Sequence, residues 1–374
     1  MGRMTKIGTI PAGRRRRVGT AVGRVGAEAA LITNLADVRY LTGFSGSNAA
    51  VILKGSKATL FTDGRYTTQA QQEVDGARVV IADKPVSLAA CEFAIAEGVT
   101  RCVFDGAVTT VAAIDSMREA LPAKLRKGWF VAANGLIAGL RELKDELEQD
   151  KMRAAAALGC RLFDQVLEHV VPGNTEMEVA MALEYMARLE GAEGMSFESI
   201  VAGGERSALP HGRATNAKLP KRGFVTLDFG VVLDGYCSDM TRTVHMGAAR
   251  RLSDGPGERE VYEAVLDAQE AGVAAVKAGV TAGEVDQASR AVLEAAGLGQ
   301  YFTHSTGHGV GIEIHEGPRL GKKQTQKLKA GMVVTIEPGV YMPGRFGVRI
   351  EDTVLVTSTG CEVLTPTTKA WLEL

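Results

Sequence analysis

Three segments in the second half of the chain have the composition of buried strands, yet each carries a carboxylate. They are FVTLDFGVV around Asp228, MVVTIEPGV around Glu337 and VRIEDTVLV around Glu351. An unpaired carboxylate in a buried strand costs several kcal/mol or shifts its pKa until it is neutral. Three such placements in one chain call for a cation. Asp239 and His308 of STGHGVG enlarge the set to four carboxylates and one imidazole. This hard-to-borderline donor set suits one or two Mn, Co, Zn or Fe ions.

The spacing says how two of these acids meet. Asp234-Gly235 is a two-residue hairpin signal of the type I′ kind. With those as turn residues, Leu233 pairs with Tyr236 and Gly230 opposes Asp239. Asp228, two residues from Gly230, shares that face, so Asp228 and Asp239 are diagonal neighbours able to converge on one ion. Two solvated acids on an exposed hairpin face would be the plainer alternative, but the strand around Asp228 is apolar on both sides. In VRIEDTVLV, period two places Arg349, Glu351 and Thr353 on one face, with Asp352 on the other in a structural role.

Five of the six histidines lie between 211 and 315. His308 sits in a glycine-rich run where backbone can approach a ligand closely. His211 follows Pro210, His304 precedes His308 by four, and His315 follows it by seven. Each of these alone is weak evidence. His169 and His245 read as structural.

The elements that must position these residues fall into two groups. Residues 15 to 140 alternate short strands (AALIT, AAVIL, ATLFT, ARVVIA, RCVFD) with helical stretches such as TTQAQQEV and AACEFAIAEG. This is the pattern of an α/β domain. A long amphipathic helix is predicted from near Leu140 through LEHV, linking the first domain to the second. Within the second, PGNTEMEVAMALEYMARLEGAE aligns with AGVTAGEVDQASRAVLEAAGLG at a constant offset of 106 residues. Gly173 matches Gly279, Thr175 matches Thr281 and Glu178 matches Glu284. An αβ duplication with a site between its halves is the expectation. The domains are expected at 1–140 and 141–374.

Composition excludes several classes. With 374 residues, 45% hydrophobic and 23% charged, the chain has material for a large core and about two domains. A formal net charge of −1 gives no electrostatic case for nucleic acid or an anionic membrane. The five scattered cysteines form no CxxC pair, which fits reducing cytoplasm. Arg14 to Arg17 read as solvated first turns of a helix rather than an export signal, and no apolar run reaches membrane-spanning length.

LDFGVVLDGYCSDMTRT, HSTGHGVGIEIHEGP, IEPGVY and GVRIED closely resemble the motifs of the pita-bread metallopeptidases, nearest to aminopeptidase P and prolidase, the Xaa-Pro peptidases. YLTGFSGSN and TDGRYTTQAQQEV resemble the creatinase-like N-terminal domain of those enzymes. The resemblance implies an α/β fold, with a creatinase-like domain followed by a pita-bread domain of pseudo-twofold internal duplication. It also implies two divalent ions, Mn with Co or Zn as alternatives, on Asp228, Asp239, His308, Glu337 and Glu351. His211, His304, His315 and Arg349 fall on the family's substrate- and transition-state-contacting positions. Glu337 doubles as proton carrier. Phe224 and Ala278 depart from the common acidic residue and proline at their positions, away from any ligand.

The implied activity is hydrolysis of the bond between an N-terminal residue and a penultimate proline, by a homodimer or homotetramer acting on peptides with proline second. A Xaa-Pro dipeptidase with the same metal core is the alternative. The small, uncharged loop Ser45 to Ala50 favours the aminopeptidase, because it leaves room past proline. A creatine amidinohydrolase or a non-enzymatic relative is disfavoured because all five ligand positions are intact. The creatinase-like N-terminal domain disfavours a methionine aminopeptidase.

Overall fold

A computed structural model describes residues 12–249 and 256–374. The chain divides into two compact units, one ending at Arg141 and the other beginning at Glu142. The first unit contains β1 (Ala29–Ile32), β2 (Ala49–Lys54), β3 (Lys57–Asp63), β4 (Ala77–Ala82), β5 (Cys102–Phe104) and β6 (Phe130–Ala132). They form one mixed sheet in the order β4-β3-β2-β1-β5-β6. The first five are the strands expected from the sequence. Helices Thr67–Glu73 and Val86–Ala96 occupy the expected helical stretches. Trp129 is buried beneath the sheet, with its indole N–H donated to the Val99 carbonyl at 2.8 Å.

The basic run differs from expectation. It does lie in a helix, Ala12–Arg24, but Arg14 and Arg15 are buried. Arg14 Nη1 donates to the Tyr40 carbonyl at 3.1 Å and Arg15 Nη1 to the Leu41 carbonyl at 2.9 Å. Those carbonyls end the helix Leu35–Thr42, whose last turn lacks intrahelical donors. Two guanidinium groups satisfy them and complement the negative end of the helix dipole.

The second unit holds β7 (Gly194–Met195), β8 (Ile200–Gly203), β9 (Gly223–Phe229), β10 (Val231–Leu233), β11 (Tyr236–Cys237) and β12 (Met240–Met246) in its first half. Its second half holds β13 (Gly307–Gly309), β14 (Glu316–Leu320), β15 (Val333–Ile336), β16 (Gly339–Met342), β17 (Phe346–Arg349), β18 (Asp352–Val356) and β19 (Cys361–Val363). The sheet β12-β9-β8 packs its Val225, Leu227 and Val244 against Leu162 and Leu183 of helices Glu146–Val166 and Glu176–Leu189. The sheet β14-β13-β15-β18-β19 packs Val334, Ile336 and Val354 with Val285 of helix Ala282–Ala295. Phe224, at the departing position, is fully buried against Tyr262, Phe346 and Trp371.

The repeat is visible in three dimensions. Thr175 and Thr281 both cap their helices in capping boxes with Glu178 and Glu284. Gly173 and Gly279 precede them with φ of 98° and 96°. After each helix the chain leaves alike. Ala192 N donates to the Ala187 carbonyl and Leu298 N to the Leu293 carbonyl, at 2.9 and 2.8 Å.

The predicted long helix is broken. A short turn of helix, Ala138–Arg141, ends before Glu142, and the main helix is Glu146–Val166. Asp145 caps it, in a capping box with Glu148. Lys144 meanwhile donates its backbone N–H to the Gly331 carbonyl at 2.8 Å. Tertiary hydrogen bonding holds residues 142–145 out of a helix that their apolar spacing permits. No described helix is long and apolar enough to cross a membrane.

Candidate metal centre

The hairpin follows the expected register. Asp234 and Gly235 have φ of 48° and 78°, as a type I′ turn requires, and Leu233 pairs with Tyr236. The same register continues beyond the turn, with Phe229 opposite Met240 and Asp228 opposite Thr241. Asp239 is therefore diagonal to Asp228. Gly230 makes the close pairing feasible: a Cβ there would sit 1.8 Å from the Ser238 carbonyl oxygen.

Glu351 enters between β17 and β18. Its N–H donates to the Thr241 carbonyl at 3.1 Å, and its Oε2 accepts from Thr241 Oγ1 at 2.6 Å. Carboxylate oxygens of Asp228, Asp239 and Glu351 lie within 4.8 Å of one another. Glu337 follows β15, its N–H donated to the Thr306 carbonyl at 2.8 Å. His308 stands on β13 with Nδ1 3.0 Å from the Gly309 carbonyl, which assigns the proton to Nδ1 and leaves the Nε2 lone pair facing the acids. Nε2 is 3.6 Å from both Asp239 Oδ2 and Glu337 Oε1. The flanking glycines are required by packing. A Cβ on Gly307 or Gly309 would come within 2.0 Å of the Thr335 or Gly317 carbonyl oxygen.

Burial and mutual repulsion dominate the electrostatics. Burial, then the neighbouring carboxylates Glu351, Asp228 and Glu337, hold Asp239 well above the usual carboxylate range. Burial and the charges of Glu337 and Asp228 do the same to Glu351. Glu337 is pushed up to about 8, chiefly by burial. Burial drives His308 down to about 4, so it is a neutral donor at physiological pH. The guanidinium of Arg349 reaches Asp228 Oδ2 at 2.5 Å, but the buried Oδ1 of Asp228 has no partner. One guanidinium beside four crowded carboxylates, an orphaned carboxylate oxygen and a bare imidazole nitrogen fit divalent cations.

The remaining predicted residues surround a cleft of about 710 Å³ that contains this cluster. His211, His304 and His315 all line it. The His315 ring lies 4.4 Å from the His308 ring, centroid to centroid. His211 follows Pro210, whose carbonyl accepts from Arg349 Nη1 at 3.0 Å. His304 turns partly aside: Nδ1 faces the Ser305 carbonyl at 2.8 Å and Nε2 the Tyr341 hydroxyl at 3.0 Å. Burial pushes His304 down to about 4.

Tyr341 escaped the sequence reading. Its hydroxyl accepts from Arg349 Nη1 at 2.6 Å and joins His304 to the arginine that grips Asp228. Thr241 was also missed, although it lies two residues beyond Asp239, and period two puts both on one face. Arg349 Nε donates to its Oγ1 at 3.1 Å. Asp352 points away, as its register requires, and takes Arg242, Gln269 and Lys369 as partners. His245 is buried against Glu258, and His169 is exposed.

Residues 150–358 match the metallopeptidase family M24, and residues 14–143 match the creatinase/prolidase N-terminal domain. The chain is 38% identical to a solved Xaa-Pro dipeptidase from Bacillus anthracis, with a TM-score of 0.90 over 97% of this chain and 99% of that one. A solved X-Pro aminopeptidase from Thermotoga maritima is 33% identical, with a TM-score of 0.85 over 95% and 100%. An Xaa-Pro dipeptidase of Pyrococcus furiosus is 41% identical over 69% of this chain and 72% of its own. With its buried acid-and-imidazole cluster and its duplicated αβ halves, the chain belongs to metallopeptidase family M24, as a peptidase with a creatinase-like N-terminal domain before a pita-bread catalytic domain.

Proposed function

We propose that this protein is a cytoplasmic Xaa-Pro aminopeptidase, with Asp228, Asp239, His308, Glu337 and Glu351 holding two divalent ions, Mn before Co or Zn. The observation that carries this reading is the convergence of these five side chains in one cleft. Such ions, when bound, supply Lewis acidity and lower the pKa of a water molecule. Glu337, with its side chain 20% exposed at a strand end, takes a proton at its carboxylate and delivers it to the departing proline nitrogen. His315 donates a hydrogen bond to the oxygen of the scissile carbonyl. His211 holds the prolyl group, while His304 and Arg349 fix the wall through Tyr341 and Asp228. An X-Pro bond has no N–H, so a site that asks for no donor there and fits the pyrrolidine ring selects it. The division of the compact units after Arg141 supports a domain boundary at 140/141 to within one residue, and assembly as a homodimer or homotetramer is part of the same reading.

A cleft of about 710 Å³ has room for a chain that continues beyond proline. The dipeptidase names of the Bacillus anthracis and Pyrococcus furiosus relatives favour a second reading, Xaa-Pro dipeptidase, on the same metal core. The test is hydrolysis of Ala-Pro, Ala-Pro-Ala and Ala-Ala-Ala by metal-stripped protein and by protein reloaded with Mn, Co or Zn. Metal-dependent cleavage of Ala-Pro-Ala supports the aminopeptidase. Cleavage of Ala-Pro alone establishes the dipeptidase, and equal cleavage of Ala-Ala-Ala overturns both.

A further inference from the structure

A buried ion pair lies outside the carboxylate cluster and is used by none of the steps above. Lys144 Nζ meets Glu316 Oε2 at 3.0 Å, with side chains only 1% and 4% exposed. Glu316 directly follows His315. Its other oxygen accepts the Glu313 N–H at 3.2 Å, while Gly311 N donates to the Glu313 carbonyl at 3.0 Å. The turn wraps so tightly that a Cβ on Gly311 would lie 2.5 Å from a Glu316 carboxylate oxygen. Behind it, the Cys237 N–H donates to the Gly311 carbonyl at 2.8 Å.

Lys144 is held equally firmly. Its N–H goes to the Gly331 carbonyl and its own carbonyl accepts Gln149 Nε2 at 2.9 Å. Glu142 fills the space beside Gly317, where a Cβ would be 2.3 Å from its Oε1, and accepts from Gln326 at 2.7 Å. The loop that carries His315 thus rests on side chains from the segment where the predicted helix is broken. A buried ion pair seldom returns its desolvation cost as stability, but it specifies one geometry. A displacement of about 1 Å at a reacting group costs on the order of a hundredfold in rate.

We propose that the Lys144–Glu316 pair, 172 positions apart in sequence, fixes the His315 imidazole over the carboxylate cluster, which makes Lys144 a positioning residue for hydrolysis. The inference rests on the role assigned to His315, and a double-mutant cycle separates the two. Lys144→Met, His315→Ala and the double variant are assayed with whichever peptide of the panel the parent cleaves, alongside metal content and Tm. Lys144→Met is expected to lower kcat roughly 10- to 100-fold with KM and metal content little changed. In the His315→Ala background the same substitution should cost less than about 3-fold. Lys144→Arg, which keeps the charge, should recover most of the rate. If Lys144→Met misfolds, Lys144→Met/Glu316→Gln removes the buried charge at both ends, and its kcat is read instead. An undiminished kcat in the folded variant overturns the proposal, as does an equal loss in both backgrounds. If His315→Ala itself leaves kcat unchanged, the role of His315 fails, and the positioning role falls with it.

Discussion

Stripping the metal should make stability depend on pH in a direction that ordinary paired carboxylates do not give. Glu337 is pushed up to about 8 in the metal-free fold against an ordinary value of 4.5. The folded state therefore holds a proton that the unfolded chain releases. Stability is intact below about pH 4.5, declines as pH rises towards 8, and levels off above it. At about 1.4 kcal/mol per pH unit, that window corresponds to a few kcal/mol from Glu337. Asp239 and Glu351 act in the same direction. For a catalytic unit of this size the decline amounts to a Tm roughly 10 °C lower. Cations in the cluster compensate the ionised acids, so the gap between metal-loaded and metal-free Tm should widen from pH 5.5 to pH 8. Thermal unfolding of EDTA-treated and Mn-reloaded protein, at fixed ionic strength, measures both curves. Glu337→Gln, which cannot ionise, should flatten the metal-free decline. A metal-free Tm that stays level or rises between pH 5.5 and 8 would refute the account of the cluster as crowded, cation-seeking acids.

Two further outcomes follow from the scaffold. Arg242→Met removes the guanidinium that joins Asp352 to the Thr365 and Thr367 carbonyls. It should cost about 3–5 kcal/mol, read from urea unfolding, because a buried carboxylate loses its main cation. It should also weaken metal retention, since Arg242 Nη1 supports the Glu351 backbone carbonyl. Gly230→Ala forces a methyl group against the Ser238 carbonyl. It should destabilise by about 1–3 kcal/mol and lower metal affinity through displacement of Asp239, measured by metal titration of the apoprotein.

Much of this centre is legible in the sequence because its determinants are local. A two-residue Asp-Gly turn fixes a hairpin register, and that register alone places Asp228 and Asp239 diagonally. Period two likewise separates Glu351, turned towards the cluster, from Asp352, turned into an arginine-lined interior. Glycines at 307 and 309 signal close backbone approach, which packing against the Thr335 and Gly317 carbonyls accounts for. The repeat is readable for the same reason: Thr caps and glycine turns act within a few residues of themselves.

What the sequence could not supply depends on partners far along the chain. Residues 142–145 have helical spacing, yet their hydrogen bonds to Gly331, Glu316 and Gln326 outweigh local propensity. Arg14 and Arg15 look solvated until the buried carbonyls at the end of the next helix are known. Tyr341 is one apolar-strand aromatic among several, and only the fold brings its hydroxyl between Arg349 and His304. Local rules thus determined which residues could be ligands and how they alternate. The tertiary structure decided which groups from other elements hold them in place, because a hydrogen bond between separate elements, whether 8 positions apart as for Arg349 and Tyr341 or 172 as for Lys144 and Glu316, leaves no periodic trace in the chain.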